Sequence, residues 1–206
     1  MATRNDARAW QRMLSGRRLD LLDPSPMDVE ISDIAHGLAR VARWNGQTLG
    51  AHAYSVAQHS LVVETIFTHL NRPSAEDCQM ALLHDAPEYV IGDMISPFKA
   101  VVGGGYKTVE KRLEAAIHLR YSLPPHPART LKAKIKAADR IAAYFEAVTL
   151  AGFTIAEATR FFGQPNRISA DMLPIEPMPT ADAQALFLAR FEAIEEKRLA
   201  RERTAS

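Results

Sequence analysis

A chain of 206 residues with 47% hydrophobic and 24% charged side chains is long enough to bury a full core, and this composition excludes the disordered and membrane-spanning classes. With 25 basic and 24 acidic residues the net charge is only +1, which excludes a strong electrostatic footprint for polymeric nucleic acid and leaves room for a small anionic ligand. The single cysteine, Cys78, excludes an internal disulfide and suits a small buried hydrophobe in a reducing cytoplasm, and no apolar run reaches the length needed to cross a bilayer.

In chain order, the arginines Arg4, Arg8, Arg12, Arg17 and Arg18 are interrupted by Asp6 and Asp20, so residues 1–27 read as a solvated or partner-packed arm and not as a targeting helix. Ile31, Ile34, Ala35, Leu38 and Val41 then recur at three- and four-residue spacing until Asn45-Gly46, which predicts a helix over about 28–44 ending at Arg43 and Trp44. Ser55 and Gln58 have capping-box spacing and open a second helix, carrying His59, that stops at Asn71-Arg72-Pro73. Ser74 and Asp77 open a third, expected to run through His84, Asp85 and Glu88 to a stop at Ile91-Gly92. The segment with Pro97 and Gly103–Gly105 reads as a mobile loop; no Gly-Lys-Ser/Thr follows it, so it is not a P-loop. Amphipathic helices are predicted over about 107–121 and 128–151, a short one from Thr154 to Gly163, and a last one capped by Thr180 whose final turns are rich in Lys and Arg. With no β-rich stretch, the expected fold is all-α: a single-domain helical bundle with a core over 28–163 and, over 164–206, a loop and C-terminal helix packing on it.

The chemistry gathers in four residues, His59, the pair His84 and Asp85, and Asp139, each in a predicted helix. Three helices packed side by side can bring two imidazoles and two carboxylates to one divalent ion, and the absence of neighbouring cysteines argues against a thiolate zinc site. The metal is one of Mn, Co, Fe, Ni, Mg or Zn, its identity unreadable from these donors. On a continuous helix His84, Asp85 and Glu88 would project within a sector of about 100°. An isolated histidine on an apolar face is more often a core residue, but Asp139 beside Ile135, Ala138, Ile141 and Ala142 is costly to bury unless paired or coordinated. An ion so held lowers the pKa of water and polarises a phosphoryl group, which makes hydrolysis the economical inference. Glu88 is then placed to deprotonate the attacking water, and Asp93 to protonate the leaving oxygen.

These residues, as RW at 43–44, YSVAQHS at 54–60, LLHDAPEYVIGD at 82–93 with SPFK at 96–99, and IKAADRIAAY at 135–144, resemble the HD-domain phosphohydrolase superfamily, and more closely its 5'-deoxynucleotidase branch, over about residues 30–150. The resemblance implies an HD-type all-α fold and a divalent metal on His59, His84, Asp85 and Asp139, with Glu88 and Asp93 as the catalytic carboxylates. It also implies that Arg43 meets the phosphate and Trp44 the sugar, and it offers Lys99 as a further phosphate contact. On residue type alone, Trp44 can equally be core at a helix end, and Arg43 and Lys99 surface cations. The sequence departs from the family where Gln58 replaces a glutamate before His59. The substrate implied is a small nucleotide, a (deoxy)nucleoside 5'-monophosphate, hydrolysed in the cytoplasm by an enzyme that is a homodimer by analogy, without nucleic-acid polymer or membrane. The nearest rival is a deoxynucleoside triphosphate triphosphohydrolase, which needs more cations near the pocket. From another class, a non-catalytic nucleotide-binding HD sensor has no use for Glu88 and Asp93.

Overall fold

Eight α-helices and one short hairpin make up the regular structure of the computed structural model, which describes residues 9–94 and 104–205. The hairpin pairs β1 (Trp10–Arg12) with β2 (Arg18–Asp20) antiparallel, Trp10 opposite Asp20. Gly16 turns it at φ 88°, and the amide and hydroxyl of Ser15 both donate to Asp33 (3.0 and 2.5 Å). The sequence anticipates only an arm here, because three-residue strands are too short to show alternation.

Helix α1 (Ile31–Leu38) is shorter than the predicted 28–44. Beyond Leu38 the chain turns and extends: Ala42 bridges Ser55, the Val56 amide donates to the Val41 carbonyl, and the Arg43 amide to the Tyr54 carbonyl. A single 3-10 turn over Arg43–Gly46 follows, in which Trp44 and Asn45 take left-handed backbone angles (φ 56° and 51°). Such angles are unfavourable for a large side chain and persist only where tertiary contacts hold them.

Helix α2 (Val56–Asn71) begins with the expected capping box, Ser55 accepting from the Gln58 amide and the Gln58 side chain from the Ser55 amide. Gln58 also donates to the Glu176 carbonyl at 2.7 Å, a use for an amide that a glutamate in its place lacks. Helix α3 (Ala75–Leu82), capped by Ser74, stops well before the predicted end, and α4 (Glu88–Ile91) is a separate turn of helix. Between them the chain is held by three-residue turns, Ala86 N to Leu83 O (2.9 Å) and Glu88 N to Asp85 O (3.0 Å). Pro87 is the cause: it has no amide to give, and within a continuous helix its ring would collide with the carbonyl four residues back. The His84-Asp85 pair therefore sits on a turn and not on a helix face.

Helix α5 (Gly104–Arg120) takes Gly104 and Gly105 of the expected glycine loop into its first turn; the rest of that loop lies outside the described residues. Helices α6 (Arg129–Thr149), α7 (Ile155–Phe162, with its Thr154/Glu157 capping box) and α8 (Thr180–Ala205) follow close to expectation. Helix α2 is central, packing on α3, α6 and α8, while α3 and α1 also lie on α8 and α7 on α6. Fully buried Ile34, Leu38, Val63, Ile66, Phe67, Leu82, Leu113, Phe187 and Phe191 form one continuous core, each such side chain contributing about 1.5–3 kcal/mol. Cys78 is buried, as expected. Helix α1 lies against α4 at Gly37, where a Cβ would come within 2.6 Å of the Tyr89 carbonyl oxygen. That approach fixes the segment carrying Glu88 against the core. Among the described residues no helix is long and apolar enough to cross a membrane.

Candidate metal centre

Three elements meet at one point: the first turns of α2 bring His59, the turn after α3 brings His84 and Asp85, and the middle of α6 brings Asp139. One ligand atom from each of His59, His84 and Asp139 lies within 4.8 Å of the others. His59 Nε2 is 3.3 Å from Asp139 Oδ1 and 3.6 Å from Asp85 Oδ2, and His84 Nε2 is 3.2 Å from Asp85 Oδ2. The structure thus brings together the four candidate ligands read from the sequence, Asp85 through its contacts with the two imidazoles, with the pair delivered by a turn in place of the expected helix.

Both imidazoles are oriented from behind. His59 Nδ1 donates to Glu146 Oε1 (2.5 Å) and His84 Nδ1 to the Ala81 carbonyl (2.9 Å), which turns both Nε2 atoms toward the carboxylates. Both Nε2 atoms are buried and, among the described residues, neither makes a hydrogen bond of good geometry. Ring nitrogens and acidic oxygens facing one space are satisfied there either by protons on the imidazoles or by a metal cation that takes the place of those protons. Burial and the Arg43 charge oppose protonation of His59, but Glu146 and Asp139 outweigh them and lift its pKa to about 10. Burial likewise works against ionisation of Asp85 and Asp139, yet His84 and His59 hold Asp85 below the usual carboxylate range and His59, His84 and Lys136 do the same for Asp139. Two imidazoles and two ionised carboxylates, the imidazoles fixed through their far nitrogens, fit a borderline to hard divalent ion.

Glu146 is the residue that sequence reasoning missed. It lies two helical turns beyond Asp139 on α6, is completely buried, and accepts from His59 Nδ1 on one oxygen and from Trp44 Nε1 (3.0 Å) on the other. Its second oxygen is also 3.5 Å from Arg43 Nη2. Burial raises its pKa, and His59 and Arg43 more than reverse that and keep it ionised. The signal was an acid seven residues after Asp139, beside buried Ala142 and Phe145.

Arg43 and Trp44 are therefore tied through Glu146 to His59, one of the candidate metal ligands. Arg43 Nη1 also donates to Asp93 Oδ2 at 3.0 Å, and the half-buried Trp44 ring packs on Phe153 and Phe162 with centroids 5.6 and 6.0 Å apart. Glu88 is buried at the start of α4 and lines, with His84, Asp85 and Asp139, a cleft of about 760 Å³. Lys99 lies outside the described residues.

The family model described as 5'-deoxynucleotidase YfbR-like matches residues 33–183, a span that contains every one of these side chains. The chain belongs to the YfbR-like 5'-deoxynucleotidase family. This YfbR-like protein is accordingly a hydrolase of the phosphohydrolase type, with the expected all-α fold. It is 56% identical over 188 residues to an uncharacterized protein of Rhodobacter capsulatus, covering 91% of this chain and 96% of that one. It is 30% identical over 172 residues to the uncharacterized protein YfdR of Escherichia coli, covering 83% of this chain and 87% of that one.

Proposed function

We propose that the protein hydrolyses the 5'-phosphoester of a small nucleotide, a (deoxy)nucleoside 5'-monophosphate, with one divalent ion held by His59, His84, Asp85 and Asp139. The observation that carries this reading is the convergence of His59, His84 and Asp139 within 4.8 Å beside a cleft that Glu88 lines. When bound, the ion supplies Lewis acidity, lowering the pKa of water and polarising a phosphoryl oxygen. Glu88, buried at the edge of the cleft, takes the proton from the attacking water. Arg43 offers its guanidinium to the phosphate, and Trp44 packs against the sugar. Asp93, held at 3.0 Å from Arg43, delivers a proton to O5'.

A panel of nucleoside mono- and triphosphates, offered to metal-stripped protein refilled with Mn, Co, Ni, Mg or Zn, tests this reading when orthophosphate and triphosphate are scored separately. Orthophosphate release from a deoxynucleoside 5'-monophosphate, absent from the stripped protein and restored by one of the ions, is the expected result. Failure of every ion to restore turnover would leave a nucleotide-binding module with no catalysis.

A further inference from the structure

Three imidazole Nε2 atoms are buried without a hydrogen bond among the described residues: those of His59 and His84, which the metal centre explains, and that of His118. His118 lies near the end of α5, is 1% exposed and forms part of the wall of the cleft that opens from the metal donors. Its Nδ1 meets the Pro124 carbonyl at 3.1 Å and therefore carries the ring proton. Burial lowers its pKa against the charge of Glu114 and the bond to Pro124, so the ring is neutral and Nε2 is a bare acceptor.

A core histidine is the ordinary explanation, and it fails on the second nitrogen. A core residue would spend that atom on a protein donor or leave the position to an apolar side chain, since a buried acceptor without a partner is destabilising. Here the acceptor is kept at a cleft wall. One turn earlier on α5, Glu114 lines the same cleft, with no ion-pair partner among the described residues. Two acceptors therefore stand four residues apart on one helix face. Met80, Pro127 and Ile135 supply the apolar surface beside them. On α6, Ile135 is one turn from Asp139, about 6 Å along the axis, which leaves room for a sugar between a phosphate at the metal donors and a base against Ile135. The volume of the cleft, about 760 Å³, lies within the range of about 300–1,000 Å³ that encloses small-molecule ligands.

We infer that this end of the cleft is a nucleobase subsite and that it selects guanine, the exocyclic amine donating to His118 Nε2 and the ring N–H beside it to the Glu114 carboxylate. Guanine alone among the four bases presents two N–H donors side by side on its pairing edge. Adenine and cytosine put an acceptor nitrogen next to the amine, where it would face the carboxylate, and thymine flanks its single N–H with two carbonyls. Each of these leaves one protein acceptor unpaired, which is how a buried polar pair rejects the wrong ligand. The inference rests on the phosphohydrolase reading above and narrows its substrate to a deoxyguanosine nucleotide.

The test measures kcat/KM for the 5'-monophosphates of deoxyguanosine, deoxyinosine and deoxyadenosine, with calorimetry of the free nucleosides beside it. Deoxyinosine keeps the ring N–H and lacks the amine, so the guanosine-to-inosine ratio reads His118 and the inosine-to-adenosine ratio reads Glu114. Each ratio is expected to be about 10-fold or more in the wild type. His118→Asn, which keeps an amide N–H for the Pro124 carbonyl, should bring the first ratio toward one, and Glu114→Ala the second. Equal rates for all three, or ratios that survive the substitutions, would overturn the subsite and leave the hydrolase reading standing; so would a second divalent ion per chain that Glu114→Ala removes. Deoxyguanosine binding that His118→Asn abolishes, without turnover of any nucleotide, would uphold the subsite and remove the hydrolase.

Discussion

Glu88→Gln keeps its metal ion and loses turnover by on the order of 10²- to 10⁴-fold, the range expected when a general base is removed. Glu88 is buried at the first residue of α4, three positions after Asp85, and lines the same cleft as the donors. Its backbone is set by the turn bond from its amide to the Asp85 carbonyl and by the close approach of α1 to α4 at Gly37. Glutamine has the same shape and leaves that packing alone, but it cannot accept a proton from water. Asp85→Ala is the contrasting variant, expected to lose both metal and turnover, because Asp85 Oδ2 stands between His84 Nε2 and His59 Nε2 at 3.2 and 3.6 Å. Metal content by elemental analysis beside kcat separates the two; normal rates in both variants would refute the assigned roles.

Glu146→Gln weakens metal binding by about 10- to 100-fold, the usual effect of removing the partner that orients a ligating histidine. The reason is a count of acceptors. The carboxylate serves His59 on one oxygen and Trp44 and Arg43 on the other, and all three partners are donors. A glutamine has one oxygen, so its NH2 must face either the imidazole or the indole and guanidinium pair. Removing the side chain altogether, as in Glu146→Ala, leaves buried charge uncompensated and costs about 3–5 kcal/mol of stability, Asp93 continuing to hold one side of Arg43. Competition with a chelator measures the first effect and denaturant unfolding the second. Trp44 emission should shift in Glu146→Ala, where the indole loses its acceptor. A glutamine variant with wild-type metal affinity would show that His59 keeps its orientation without the carboxylate.

The sequence was legible where one local rule decided the outcome. The capping boxes at Ser55/Gln58 and Thr154/Glu157 placed two helix starts, and the apolar stripe of α6 placed Asp139 against the core. Reading failed where the backbone is governed by distant contacts. Val41 and Ala42 fit a helical stripe but are drawn into extended pairing with Tyr54–Val56, and the left-handed Trp44 is retained with help from Glu146, Phe153 and Phe162, all far along the chain. The break at His84-Asp85 was visible in Pro87, whose constraint on the preceding turn outweighs the apolar spacing of Met80, Ala81 and Leu83. Glu146 carries no motif of its own; it becomes recognisable only when three helices and the Arg43 turn are assembled around it.

Titration of the metal-stripped protein with a divalent ion, by calorimetry and with turnover followed in parallel, bears most directly on whether these side chains make one catalytic centre. One ion per wild-type chain, with activity rising in proportion to occupancy, and binding too weak to measure in Asp139→Ala, is the predicted result. An Asp139→Ala protein that binds the ion as the wild type does, or wild-type turnover that persists without any ion, would contradict it.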